Sequence, residues 1–110
     1  YRLKPEMRSF AAVIVHIASG NEYAGKAGKG QDVQWTEMDA DGYKTKARCI
    51  DIFKKSIADA DAAIAANPLG PKRNLEPFLS VLQHASEHYG LLVAYFRANG
   101  MKPPETKDKQ

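Results

Sequence analysis

The residues best suited to chemistry are the three histidines, His16, His84 and His88, the only ones in the chain. His84 and His88 stand four apart in "HASEHYG". On a helix that spacing stacks two side chains on one face, with Cβ atoms about 6 Å apart, which suits a shared metal ion. His16 lies in "AAVIVHIAS", hydrophobic on both sides. Three neutral imidazoles from two helices can supply a catalytic zinc site whose fourth position stays open to water or substrate. The competing reading is three separate, hydrogen-bonded interior histidines, and spacing alone leaves both open. Haem ligation is remote, because His84 and His88 on one helix cannot flank a flat ring from opposite sides, although His16 could partner one of them.

The same letters fit H-x-x-E-H, a zinc-peptidase pattern in which Glu87 would serve as general base. Glu87 falls on the polar side of its helix, and only 22 residues follow His88, with any downstream acid confined to the tail. A solvated helix charge is the better account. "GNEYAGKA", residues 20–27, nearly spells a phosphate-binding loop. However, Ala27 replaces the hydroxyl that holds magnesium, and the stretch ends a helix instead of joining a strand to one. "EMDADG" resembles a calcium loop, but Arg48 occupies the twelfth position, where a bidentate glutamate is needed. Cys49 reads as a buried filler beside Ile50.

Three helical segments must position these residues. The first spans residues 6 to 25 or 29, with Pro5 in its first turn and a stripe of Phe10, Val13, Ile17, Gly20 and Ala24. The second spans residues 43 to 66, capped by Asp39 or Asp41. Its stripe is Ile50, Phe53, Ile57, Ala60 and Ile64, and "NPLGP" ends it. The third spans residues 75 to 99, between Asn74 as N-cap and Gly100 as stop. Leu75, Phe78, Leu82, Ala85, Tyr89, Leu92 and Phe96 form one apolar stripe, beside Val81, His84, His88, Leu91 and Tyr95. Glu76, Ser80, Gln83, Glu87, Gly90, Ala94 and Arg97 must face water. Nothing alternates with period two, so the chain reads as all-α.

The 110 residues, 44% hydrophobic and 26% charged, suit a single globular domain over residues 1–104, followed by a polar tail, 105–110, expected to be disordered. A net charge of +3 without a basic stripe speaks against nucleic acid, and no apolar run approaches the roughly 20 residues of a membrane span. One cysteine excludes an internal disulfide. A cytoplasmic location is the expectation, although the chain starts at Tyr1 and its N-terminus gives no view of a leader.

Two stretches, "YRLKPEMRSFAAVIVHIASGNEYAG" and "FLSVLQHASEHYGLLVAYFRANGMKPP", resemble the second and fourth helices of the DinB-like superfamily, which includes thiol S-transferases using bacillithiol and similar low-molecular-weight thiols. The pairing of "VHIA" with "HxxxHYG" is the most specific part, and the resemblance covers roughly residues 1 to 104. It implies a four-helix bundle with three of its helices here and the first missing before "YRLKP". It also implies a divalent metal, Zn²⁺ or Ni²⁺, on His16, His84 and His88. The partners implied are a small-molecule thiol and an electrophilic substrate. The face left by the missing helix would favour association, as in a homodimer. No general base or other catalytic residue can be named. The alternative from a different class is a non-catalytic, stress-associated bundle with a structural metal or none.

Overall fold

A computed structural model describes residues 1–66 and 75–107. Among these the chain is all-helical: α1 (Phe10–Gly28), a 3-10 turn (Ala40–Tyr43), α2 (Lys46–Ala66), α3 (Glu76–Ala98) and a short α4 (Pro104–Lys107). Helix α1 is the middle of the arrangement. It packs against both α2 and α3, whose backbones do not approach each other closely among the described residues.

That central position explains the composition of α1. Val13, Val15, Ile17, Ala18, Ser19, Gly20, Asn21, Ala24, Gly25 and Gly28 are all buried, which covers far more than one stripe. A helix enclosed on several sides needs small residues where neighbours come close. A Cβ on Gly28 would sit 2.1 Å from the Phe78 ring, whereas one on Gly25 would meet the Ala60 backbone at an ordinary contact distance of 3.7 Å. The helix begins later than the proline suggests. Ser9 is its N-cap, its hydroxyl accepting from Ala12 N–H at 3.1 Å, so Pro5 lies in the preceding segment.

The face of α2 turned toward α1 also departs from expectation. Cys49, Ser56, Ala60 and Ala63 are buried, whereas Ile50, Ile57 and Ile64 are each about 40% exposed. Small side chains admit α1 closely, and the interface includes a polar tie in which Asn21 Nδ2 donates to Ser56 Oγ at 3.1 Å. The caps are divided between two acceptors: Asp39 Oδ1 accepts from Asp41 N–H and starts the 3-10 turn, while Thr45 Oγ1 accepts from Arg48 N–H in the first turn of α2. Cys49 is buried as expected, its thiol directed at the Tyr43 carbonyl.

On α3 the narrower stripe is the core face. His88 and Tyr95 are buried and Val81, His84 and Leu91 half-buried, while Leu75, Leu82 and Tyr89 of the broader stripe are exposed. The seven residues assigned to water are all exposed. Gly100 stops the helix with φ +67°, a left-handed conformation that glycine adopts without steric cost, and Met101 N–H closes back to the Phe96 carbonyl at 2.9 Å. The expected caps and breaker at Asn74 and "NPLGP" lie outside the described residues. Where the composition predicts disorder from residue 105, residues 104–107 form a helical turn, which brings Glu105 near Tyr89. Residues 108–110 lie outside the described part.

The core gathers Val13, Ile17 and Tyr95, with Met7, Phe10, Phe53, Leu91 and Leu92 packed around them. Tyr95 is 1% exposed, and its hydroxyl donates to the backbone carbonyl of Arg8, tying the segment before α1 to α3. Tyr95→Phe keeps the ring and removes this part-buried hydrogen bond, so it should cost about 0.5–1.5 kcal/mol. Urea unfolding checks this, and an unchanged midpoint would contradict it.

Candidate metal centre

His16 projects from the middle of α1, and His84 and His88 from successive turns of α3. Ring centroids are 4.6 Å apart for His16 and His84, 4.7 Å for His16 and His88, and 4.3 Å for His84 and His88. One ring nitrogen from each lies within 4.8 Å of the others, and this is the cluster of potential metal ligands found among the described residues. The three histidines singled out in the sequence are therefore brought together, not dispersed through the core.

The nitrogens are sorted by what already holds them. His88 Nδ1 lies 2.9 Å from the His84 backbone carbonyl. Because a carbonyl can only accept, Nδ1 carries the proton and Nε2 keeps its lone pair. His16 Nε2 and His84 Nε2 face each other at 2.8 Å, one donating to the other. Two nitrogens on a tetrahedral zinc, with Zn–N of 2.0–2.1 Å, stand roughly 3.3 Å apart. A shift of about half an ångström thus separates this contact from a ligating geometry. The donor set of three imidazoles suits Zn²⁺, Ni²⁺ or another first-row ion and does not distinguish among them.

Four residues outside the histidine pattern shape the centre. Gly20 makes room for His84, since a Cβ there would sit 3.0 Å from His84 Nδ1. Trp35, in residues 31–39 between α1 and the 3-10 turn, meets the rings of both His16 and His84 edge-on at 5.8 Å. Glu37 from the same segment places Oε1 3.1 Å from His16 Nδ1. Its Oε2 accepts from the Arg8 guanidinium at 3.2 Å. The segment is anchored beside Glu37 by Met38 N–H donating to the buried Ser19 hydroxyl at 3.0 Å, while that hydroxyl donates to the Val15 carbonyl at 2.8 Å.

Burial is the main cause holding His16 and His84 below the ordinary imidazole pKa. For His16 the Arg8 charge adds to it and Glu37 opposes it. For His84 the neighbouring His88 and His16 add to it. Burial alone would raise the Glu37 carboxyl, but the hydrogen bond from Arg8 and the nearness of His16 outweigh it and hold the group low. The electrostatic result is that the neutral forms of His16 and His84 are favoured beside an ionised acid, the protonation state that metal binding requires.

The histidines open on a cleft of about 520 Å³, lined also by Arg8, Tyr23, Trp35, Pro77, Val81 and Glu87. Glu87 is exposed, as expected, yet stands on the rim. Trp35 carried a weak sequence signal as the only tryptophan. Glu37 and Arg8 carried none, because they arrive from non-helical segments without periodicity.

Since the folded chain keeps His16 and His84 neutral while the unfolded chain protonates them near pH 6.5, the unfolded state binds more protons below that pH. Their contribution to stability is therefore present above about pH 6.5 and is lost as pH falls through the lowered folded values. Metal-free protein should unfold at lower urea at pH 5.5 than at pH 7.5, and His84→Gln should narrow the difference. A midpoint that is equal or higher at pH 5.5 would contradict the assignment.

No helix among the described residues is long and apolar enough to cross a membrane. No family model, curated protein or solved structure matches the chain.

Proposed function

We propose that the chain is a metal-binding helical protein of the DinB-like kind that works in the cytoplasm as a metal-dependent thiol S-transferase. The observation that carries this reading is the convergence of His16, His84 and His88 within 4.8 Å on the wall of an open cleft. A structural site is closed by four protein ligands, whereas three ligands leave room for a reactant. A divalent ion held by these three residues, Zn²⁺ or Ni²⁺, would supply Lewis acidity that lowers the pKa of a thiol in the cleft.

The chain's own residues would do the rest. Trp35, Tyr23, Pro77 and Val81 offer apolar surface that holds an electrophile and excludes water. Arg8 and Glu87 put opposite charges on the lining, which can orient a polar thiol. The thiolate sulfur then attacks the electrophilic carbon and the leaving group departs with its electron pair. The thiol proton passes to solvent, as no side chain here stands out as its acceptor.

Elemental analysis of untagged protein should find close to one ion per chain, and His16→Ala and His84→Ala should lose it while remaining folded. With Co²⁺ in the site, added thiol should change the visible spectrum. Thiol-dependent consumption of a chloronitrobenzene should vanish in His88→Ala. Metal without a thiol response would favour the non-catalytic bundle. Equal activity in His88→Ala would overturn the transferase reading, and absence of metal even after incubation with Zn²⁺ or Ni²⁺ would overturn the metal centre itself.

A further inference from the structure

We infer that Glu37 is a positioning residue for the metal centre, holding the Nδ1 side of His16 so that Nε2 is presented to the ion. The inference rests on the metal reading above and assigns a role to a residue outside the three ligands. Glu37 Oε1 stands 3.1 Å from His16 Nδ1, the nitrogen turned away from His84. A carboxylate can only accept there, so it favours the tautomer with the proton on Nδ1 and the lone pair on Nε2. A negative charge on that side also makes the ring a stronger donor to a cation, the role carboxylates commonly play behind metal-bound histidines.

The placement of Glu37 is built from three directions. Arg8 takes its other oxygen at 3.2 Å, so the carboxylate is shared between a cation and an imidazole. Arg8 is itself located by the buried Tyr95 hydroxyl, which holds its backbone carbonyl. The following residue, Met38, is fixed to α1 through the Ser19 hydroxyl, one helical turn from His16. His16 Nδ1 is fully enclosed, and no well-aligned hydrogen bond reaches it; the Glu37 oxygen approaches at a bonding distance but off the N–H direction. His84 Nδ1 is also enclosed without a hydrogen bond, but no carboxylate among the described residues forms an ion pair with that ring, on which Glu87 acts only at longer range. The role therefore falls to Glu37 alone among the acids of the cleft.

The test compares the parent with Glu37→Gln, Glu37→Ala and His88→Ala at pH 7.5, measuring Zn²⁺ affinity by competition with a chromophoric chelator. Long-range nitrogen–proton NMR of the histidine rings reports the His16 tautomer in the metal-free protein. Circular dichroism and urea unfolding establish that each variant is folded. Glu37→Gln keeps an acceptor and loses the charge, while Glu37→Ala loses both. The expected order of affinity is parent, then Gln, then Ala, with about 10–100-fold between the extremes and unchanged capacity of one ion. The His16 Nδ1–H tautomer should be retained in Glu37→Gln and eroded in Glu37→Ala. Affinities within twofold of the parent and an unchanged tautomer would overturn the role of Glu37 while leaving the metal centre standing. A loss in Glu37→Ala as large as in His88→Ala would make Glu37 a ligand and overturn positioning. A parent that binds no Zn²⁺ would fail the metal reading, and the role of Glu37 with it.

Discussion

Burial of α1 is the constraint on which the rest of the molecule depends. A helix flanked by α2 on one side and α3 on another, with residues 31–39 fastened to it through Ser19, has little surface left for solvent. Its glycines, alanines and serine follow from that, because close approach of three neighbours leaves no volume for larger side chains at the contacts. His16 is placed within this packing, so its ring is presented at a depth and angle that the fold determines. Flexibility in the side chain has little scope to alter it.

The site joins two kinds of order. His84 and His88 are neighbours by helix geometry alone, and any stable α3 would stack them. His16 must be delivered by packing of α1 on α3, which the Val13–Ile17–Tyr95 core secures. The electrostatics follow from the same packing. Burial favours the neutral forms of His16 and His84, and beside His16 the charges of Arg8 and Glu37 act in opposite directions. A cation can therefore approach lone pairs without first displacing protons from charged rings. This is the physical link between the fold and the chemistry proposed for the cleft.

Hydrophobic patterning misjudged one interface for an identifiable reason. On α2 the isoleucines at 50, 57 and 64 recur at helical spacing, so ranking that stripe by hydrophobicity places them inside. The structure keeps Ala60 and Phe53 of the expected stripe inside, adds Ser56 and Ala63, and leaves these three isoleucines half out. Where two backbones approach closely, the volume allowed at the contact outweighs the transfer energy of a larger group. The broad stripe of α3 shows the same limit: Leu75 and Leu82 are apolar and correctly grouped, but among the described residues no element packs over them.

The sequence by itself determined the all-helical class, the existence of the three long helices, the solvent face of α3 and the three histidines as the residues suited to chemistry. Each of these is carried by spacing within one helix or by the rarity of a residue type, and local geometry is enough to read them. Only the tertiary structure decided that the histidines meet, that α1 is the enclosed helix, and that Glu37, Arg8 and Trp35 stand at the centre. Glu37 and His16 are far apart along the chain, and nothing periodic connects them. Their contact exists because Ser19 and Tyr95 fasten two non-helical segments onto the helices, and such fastening leaves no pattern in the sequence.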